Sequence, residues 1–129
     1  MTKQTDIFAA LKSLLARAHA PYSGFRVAAA AVDEGDEPHF GVNVENQSYP
    51  VGTCAEAGAL SALRVAGGMT VKRLYLLSEP DYGVVPCGAC RQRLAELGAP
   101  DLAIITFDAA GNEKTYTLEE LFPHGFRFR

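Results

Sequence analysis

The chain has 129 residues, of which 48% are hydrophobic and 21% charged, with a formal net charge of −3. That is enough apolar material for one domain with a buried core, and too much for a disordered polymer. The acidic balance argues against nucleic acid or an anionic membrane surface as partner, because both reward clustered Lys and Arg.

The start, Met1-Thr2-Lys3-Gln4-Thr5-Asp6, is polar and carries an acid, unlike a secretory leader. No apolar run approaches the ~20 residues of a membrane-spanning helix, so a cytoplasmic protein is expected. Between residues 4 and 19, Ile7, Phe8, Leu11, Leu14, Leu15 and Ala18 recur at helical spacing, and Pro21-Tyr22-Ser23-Gly24 ends the helix. Phe25 to Val32 reads as a buried strand, Asp33 to Pro38 as a hairpin-like turn, and Phe40 to Glu45 as the returning strand. After a loop from Asn46 to Gly52, the Ala- and Leu-rich stretch from Cys54 to about Val65 predicts a helix stopped by Gly67-Gly68. Val71 to Leu77 alternates as a strand, Ser78 to Pro86 is a loop, and Gly88 to Leu97 is a helix ended by Gly98 and Pro100. Leu102 to Phe107 and Lys114 to Thr117 are strands about an Ala110-Gly111-Asn112 turn. Thr117-Leu118-Glu119-Glu120 is a capping box opening a short last helix. The order αββαβαβ, with a further β and α, predicts a single domain over residues 1–129: one sheet covered by helices on its faces.

All three cysteines stand in two patches, Thr53-Cys54-Ala55-Glu56 and Pro86-Cys87-Gly88-Ala89-Cys90. An odd number of clustered thiols in a reducing compartment points to metal or catalysis rather than disulfides. Cys87 and Cys90, three apart at a helix start, share one face. The positive end of a helix favours the thiolate, which is the form that binds metal. Structural zinc sites use four protein ligands, whereas catalytic sites use three and keep a position open. Three cysteines fit the second kind, with one Zn2+ per chain. Glu56 has two readings. Thr53-x-x-Glu56 is a capping box, and most such glutamates only cap helices. Two residues from a metal ligand, it is also off the ligand's own face and placed to move protons at the open position.

Cys-x-Glu followed by Pro-Cys-x-x-Cys is the established signature of the zinc-dependent nucleobase deaminases. Four segments carry a closer resemblance, to the small homotetrameric cytidine deaminases: Pro21-Tyr22-Ser23-Gly24-Phe25-Arg26-Val27-Ala28, Gly41-Val42-Asn43-Val44-Glu45-Asn46-Gln47-Ser48-Tyr49, Thr53-Cys54-Ala55-Glu56 and Pro86-Cys87-Gly88-Ala89-Cys90-Arg91-Gln92. The resemblance runs over nearly the whole chain. It implies a three-layer α/β/α fold with a mixed central sheet of about five strands and helices on both faces. It implies a hydrolase that converts cytidine and 2′-deoxycytidine to uridine and 2′-deoxyuridine with release of ammonia, in pyrimidine salvage. Cys54, Cys87 and Cys90 would hold zinc, and Glu56 would shuttle protons. Phe25 would pack on the pyrimidine, Asn43 and Glu45 would bind the ribose 3′-hydroxyl, and the Ala55 backbone would read the edge of the base. Gln47, Tyr49 and Phe126 sit where neighbouring subunits of a homotetramer complete the pocket.

Each substrate contact has a plainer reading: Phe25 as core, Asn43 and Glu45 as a solvated strand face, Tyr49 as loop packing, Phe126 as a frayed tail. His19, His39 and His124 lack ligand-like spacing to the cysteines and read as surface or satisfied side chains. The chain departs from the family at Ala57, where members commonly carry Arg, and at Ala28, where Gly is frequent and where the extra methyl would narrow the pyrimidine space. Arg91, next to Cys90, is a candidate to replace the missing cation. The rival functions are a deaminase of a modified nucleoside (blasticidin S-type), a nucleic-acid-editing deaminase, and a non-enzymatic zinc-stabilised domain.

Overall fold

The computed structural model describes residues 4–127; the polar start read at Met1 to Lys3 lies outside the described residues. The elements in chain order are α1 (Gln4–Leu14, continued by a 3-10 turn Leu15–Arg17), β1 (Arg26–Asp33), β2 (Pro38–Val42), α2 (Ala55–Val65), β3 (Val71–Glu79), α3 (Gly88–Leu97), β4 (Gly98–Phe107), β5 (Glu113–Thr117) and α4 (Leu118–Leu121). The five strands form one sheet in the order β2-β1-β3-β4-β5. β3 and β4 run parallel, joined by α3 as the crossover such a pair requires, and the other neighbours are antiparallel. The mixed five-stranded α/β architecture is the one expected from the resemblance.

The period-2 alternation of strands divides β1 between two cores. Val27, Ala29 and Ala31 join Ala55, Ala59, Leu60 and Leu63 of α2, with Leu74, Leu76, Leu94 and Ile104, on one face of the sheet. Ala28, Ala30 and Val32 join Ile7, Leu11 and Leu15, with Tyr75, Leu77, Ile105 and Phe107, on the other. A central strand covered on both faces has no solvated side, which explains its unbroken run of small apolar residues. This parity also corrects one expectation. Ala28 packs in the α1-side core, whereas the cysteine-bearing helix α2 lies on the opposite face, so its methyl does not narrow a site there.

Gly41 of β2 sets how closely α2 approaches the sheet. A Cβ at Gly41 would run into the backbone of Ala55 and Ala59 and stand 2.9 Å from the Gly58 carbonyl carbon, whereas a Cβ at Gly58 would meet the Gly41 Cα at an ordinary 3.5 Å. The absence of a side chain at Gly41 therefore seats the first turn of α2 on the end of β2.

Strand boundaries differ from the sequence reading in two places. β2 ends at Val42, and beyond it Val44 bridges His19 on one side and Thr53 on the other. The segment that holds Asn43 and Glu45 is thus a connector between the α1 end and the start of α2. β4 begins at Gly98 rather than Leu102, with its register to β3 shifting between the Val71–Gly98 and Arg73–Ala103 pairs. Pro100 lies in that irregular stretch, where a residue without an N–H is tolerated. The predicted capping box of α4 is present, with Thr117 and Glu120 bonding each other's backbone amides. Among the described residues no helix is long and apolar enough to cross a membrane.

Candidate active site

The N-termini of α2 and α3 converge. Cys54 is the N-cap of α2 and Cys87 the N-cap of α3. Their sulfurs stand at the positive ends of two helices, where negative charge is favoured. Cys90 lies one turn into α3 and is fully buried. The three Sγ atoms lie within 4.8 Å of one another, and Cys54 and Cys87 are 3.6 Å apart. Tetrahedral zinc–thiolate bonds of about 2.3 Å put sulfurs roughly 3.8 Å apart. The donor set therefore fits zinc, and it comes from a single chain. Among the described residues no histidine joins the cluster; His39 instead pairs with Asp33 at 2.9 Å.

The thiols compete for negative charge. Burial pushes Cys54 up, and burial with the nearby Glu56 and the other two sulfurs pushes Cys90 up further. Burial acts the same way on Cys87, but the Cys90 amide and the neighbouring thiols outweigh it and hold this thiol below its ordinary value. A divalent cation resolves that competition, since it binds the deprotonated form.

Glu56 is 4% exposed. It is the second residue of α2, because the N-cap is Cys54 and not Thr53, so the Thr53-x-x-Glu56 capping box is not formed. Burial pushes its carboxyl up, with its own backbone amide and Arg93 acting against this. A carboxylate kept from water, two residues from a thiolate and off that ligand's face, is placed for proton transfer rather than for capping. Ala55, the first helical residue, is buried, and its N–H is one of the first-turn amides with no acceptor inside the helix.

The substrate-contact candidates fall into two groups. Asn43 clamps the start of β1: its Oδ1 accepts from the Val27 amide at 2.9 Å, and its Nδ2 donates to the Phe25 carbonyl at 2.8 Å. Glu45 accepts from the amides of Tyr22 and Ser23 at 3.1 Å and from the Ser23 hydroxyl, which holds its carboxyl below the usual range. Neither is a solvated strand face. Together they fix the turn before Phe25. Phe25 is half-buried against the α2-side core and stacks on Tyr82 with ring centroids 5.5 Å apart.

A hollow of about 320 Å3 opens beside this group, lined by Tyr22, Ser23, Glu45, Asn46, Tyr49 and Gly52. Tyr49 thus joins Glu45 as expected, while Gln47 and Phe126 are exposed residues outside the hollow. Phe126 is tied to α3 through its carbonyl, which accepts from Gln92 at 3.1 Å.

Sequence reasoning missed three contributors. Ser23 stands in the helix-ending turn and in the first family-like segment but has no role assigned there, Tyr82 lies in a stretch that reads as loop, and the sequence favours Arg91 over Arg93. Arg91 in fact donates to the carbonyls of Pro86 and Leu121, bracing the loop before α3 against α4. Arg93, three residues after Cys90, points its Nη1 at the Cys90 sulfur at 3.4 Å. The i,i+3 spacing was the available signal.

A buried carboxylate beside three convergent thiols, at the ends of two helices on a mixed sheet, defines a zinc-binding deaminase class of site. Residues 1–106 match the family described as the cytidine and deoxycytidylate deaminase zinc-binding region. The chain is 36% identical over 109 residues to a cytidine deaminase of Halalkalibacterium halodurans, covering 84% of this chain and 83% of the relative. It is 30% identical over 118 residues to a cytidine deaminase of Mycoplasma genitalium, covering 91% of this chain and 90% of that one. The crystal structure of a cytidine deaminase from Burkholderia pseudomallei superposes with a TM-score of 0.85 at 34% identity, covering 98% of this chain and 100% of that one. The chain belongs to the cytidine and deoxycytidylate deaminase zinc-binding family.

Proposed function

We propose that the protein is a cytidine deaminase, replacing the 4-amino group of cytidine and 2′-deoxycytidine with oxygen to give uridine, 2′-deoxyuridine and ammonia. The observation that carries this is the burial of Glu56 beside the three-thiolate cluster. Zinc, when bound by Cys54, Cys87 and Cys90, supplies a Lewis acid that brings water ionisation toward neutral pH. Glu56 takes one proton from the attacking water as the C4–O bond forms and passes it to ring N3; it then takes the second from the added hydroxyl and passes it to the amine as the C4–N bond breaks and ammonia leaves. Its raised proton affinity suits a group that must both accept and donate near neutrality.

Phe25, backed by Tyr82, offers an aromatic face for the pyrimidine. Asn43 keeps one N–H of its amide beyond the bond to Phe25, and Glu45 stands at the edge of the hollow; both suit the ribose 3′-hydroxyl. The Ala55 N–H and Glu56 suit the polar edge of the base. Residues 1–129 act as one catalytic domain in the cytoplasm, serving pyrimidine salvage. The protein assembles as a homotetramer, with Gln47, Tyr49 and Phe126 contributing to neighbouring sites. Their exposure on one chain supports that reading. The acidic surface supports small nucleosides rather than nucleic acid as substrates.

The test is zinc per chain by elemental analysis, together with the fall in ultraviolet absorbance on adding cytidine. One zinc per chain with turnover of cytidine and deoxycytidine is expected. Zinc without turnover of either nucleoside overturns the substrate assignment.

A further inference from the structure

Three thiolates around one divalent cation leave one net negative charge at the centre. Position 57, directly after Glu56, is alanine and contributes no cation. We propose that Arg93 takes over this task from the other helix: a positioning residue whose guanidinium stabilises the Cys90 thiolate and balances the filled centre. The inference rests on the zinc reading above.

Three observations carry it. The guanidinium reaches the sulfur, Nη1 to Sγ at 3.4 Å, within the range of a hydrogen bond to sulfur. It forms no direct ion pair with a carboxylate among the described residues, and its charge already acts on Glu56 at the same centre. It also lines the groove between α2 and α3 with Leu60, Ser61, Arg64, Glu96 and Leu97. Ala57 stands one helical turn before Leu60 and Ser61, on the same side of α2. An arginine at 57 and an arginine at 93 are thus alternative ways to bring one positive charge toward the same centre. Arg91, the nearer residue in sequence, is committed to two backbone carbonyls.

The decisive experiment measures zinc affinity by chelator competition on wild type, Arg93→Ala, Arg93→Lys, Ala57→Arg and the double variant Arg93→Ala/Ala57→Arg. Cobalt(II)-substituted forms give the thiolate-to-metal absorption band as a second readout. Partners of metal ligands typically matter 10–100-fold in affinity. Arg93→Ala should lose about that much and shift the cobalt band. Lysine should recover part of the loss, and arginine at 57 should restore most of it, while changing little in the wild-type background. Unchanged affinity and an unmoved band in Arg93→Ala overturn the proposal. So does an affinity loss that arginine at 57 leaves unrepaired, which would make Arg93 a packing residue of the groove. A wild-type protein that binds no stoichiometric zinc overturns the metal reading itself, and this proposal with it.

Discussion

Glu56 pulls function and stability in opposite directions. Burial raises its proton affinity in the folded chain, so folding takes up a proton in the pH range between the unfolded and folded values of this carboxyl. The sign follows from linkage: a carboxyl raised on folding costs stability once pH climbs above its unfolded value of about 4.3, and that cost stays in place at neutral pH. Glu56→Gln removes the charge and keeps the shape. Turnover should fall by about 10²–10⁴-fold, the usual weight of general acid–base catalysis, with zinc retained, while the metal-free protein at neutral pH should melt higher than wild type. A variant that melts lower would restore the view of Glu56 as a structural group. At this scale the chemistry was largely legible, since Cys54, Glu56, Cys87 and Cys90 are spaced by what a metal and a proton shuttle demand. Arg93 was not. Which arginine of α3 meets a sulfur depends on how that helix lies against α2, and Arg91 was the nearer guess along the chain. Asn43 and Glu45 hold the backbone around Phe25, which no spacing rule reveals.

Secondary structure delivers these side chains, and two local devices decide whether it does so accurately. The first is the glycine contact between β2 and α2. Gly41→Ala forces a methyl into the backbone of Ala55 and Ala59, and nothing there is a flexible side-chain end that can swing away. Overpacking typically costs about 1–3 kcal/mol, and here it lifts the helix turn that bears Cys54 and Glu56. Denaturant unfolding should show the loss, and zinc affinity should fall with it; a wild-type midpoint would mean that α2 has room to move. The second device is the β1–β2 turn. Asp33 accepts from the Gly35 and Glu37 amides and pairs with His39 at 2.9 Å, and the His39 bond, the strongest influence, holds its carboxyl below the usual value. A depressed carboxyl contributes stability above its unfolded value, about 3.9, and loses it as pH falls through the folded one. Asp33→Asn should therefore unfold more easily than wild type at neutral pH, with the gap closing below about pH 4; a gap independent of pH would assign the effect to lost turn geometry alone. Periodicity and turn chemistry made every element legible. They did not reveal that β2 stops at Val42, because beyond Asn43, whose amide still donates to the Val27 carbonyl of β1, the chain turns to pair with His19 and Thr53 through Val44.

The single chain separates two parts of the proposed enzyme. All three metal ligands and Glu56 belong to one chain and meet within it, whereas the hollow beside Glu45 is walled by aromatics that face outward. Tyr49 is 74% exposed, Val51 and Phe126 are largely exposed, and Tyr22 is half-exposed. Tyr22 and Tyr49 pack ring to ring at 5.8 Å, which makes a rigid apolar surface rather than scattered side chains. Surfaces of this kind mark binding or assembly, and a deamination site gains from excluding water that an open hollow admits. Homotetramer assembly accounts for both. If it is correct, sedimentation should report four chains, and Tyr49→Asp should dissociate them by placing a charge in the interface. That variant should keep one zinc per chain, because no ligand crosses between subunits, yet lose most of its activity toward cytidine through a raised KM. The pairing of results carries the argument. A dissociated protein with full activity would make the hollow self-sufficient and sink the shared-site proposal. Loss of zinc on dissociation would show instead that assembly holds α2 and α3 together, and would place the subunit contact at the metal centre rather than at the nucleoside wall.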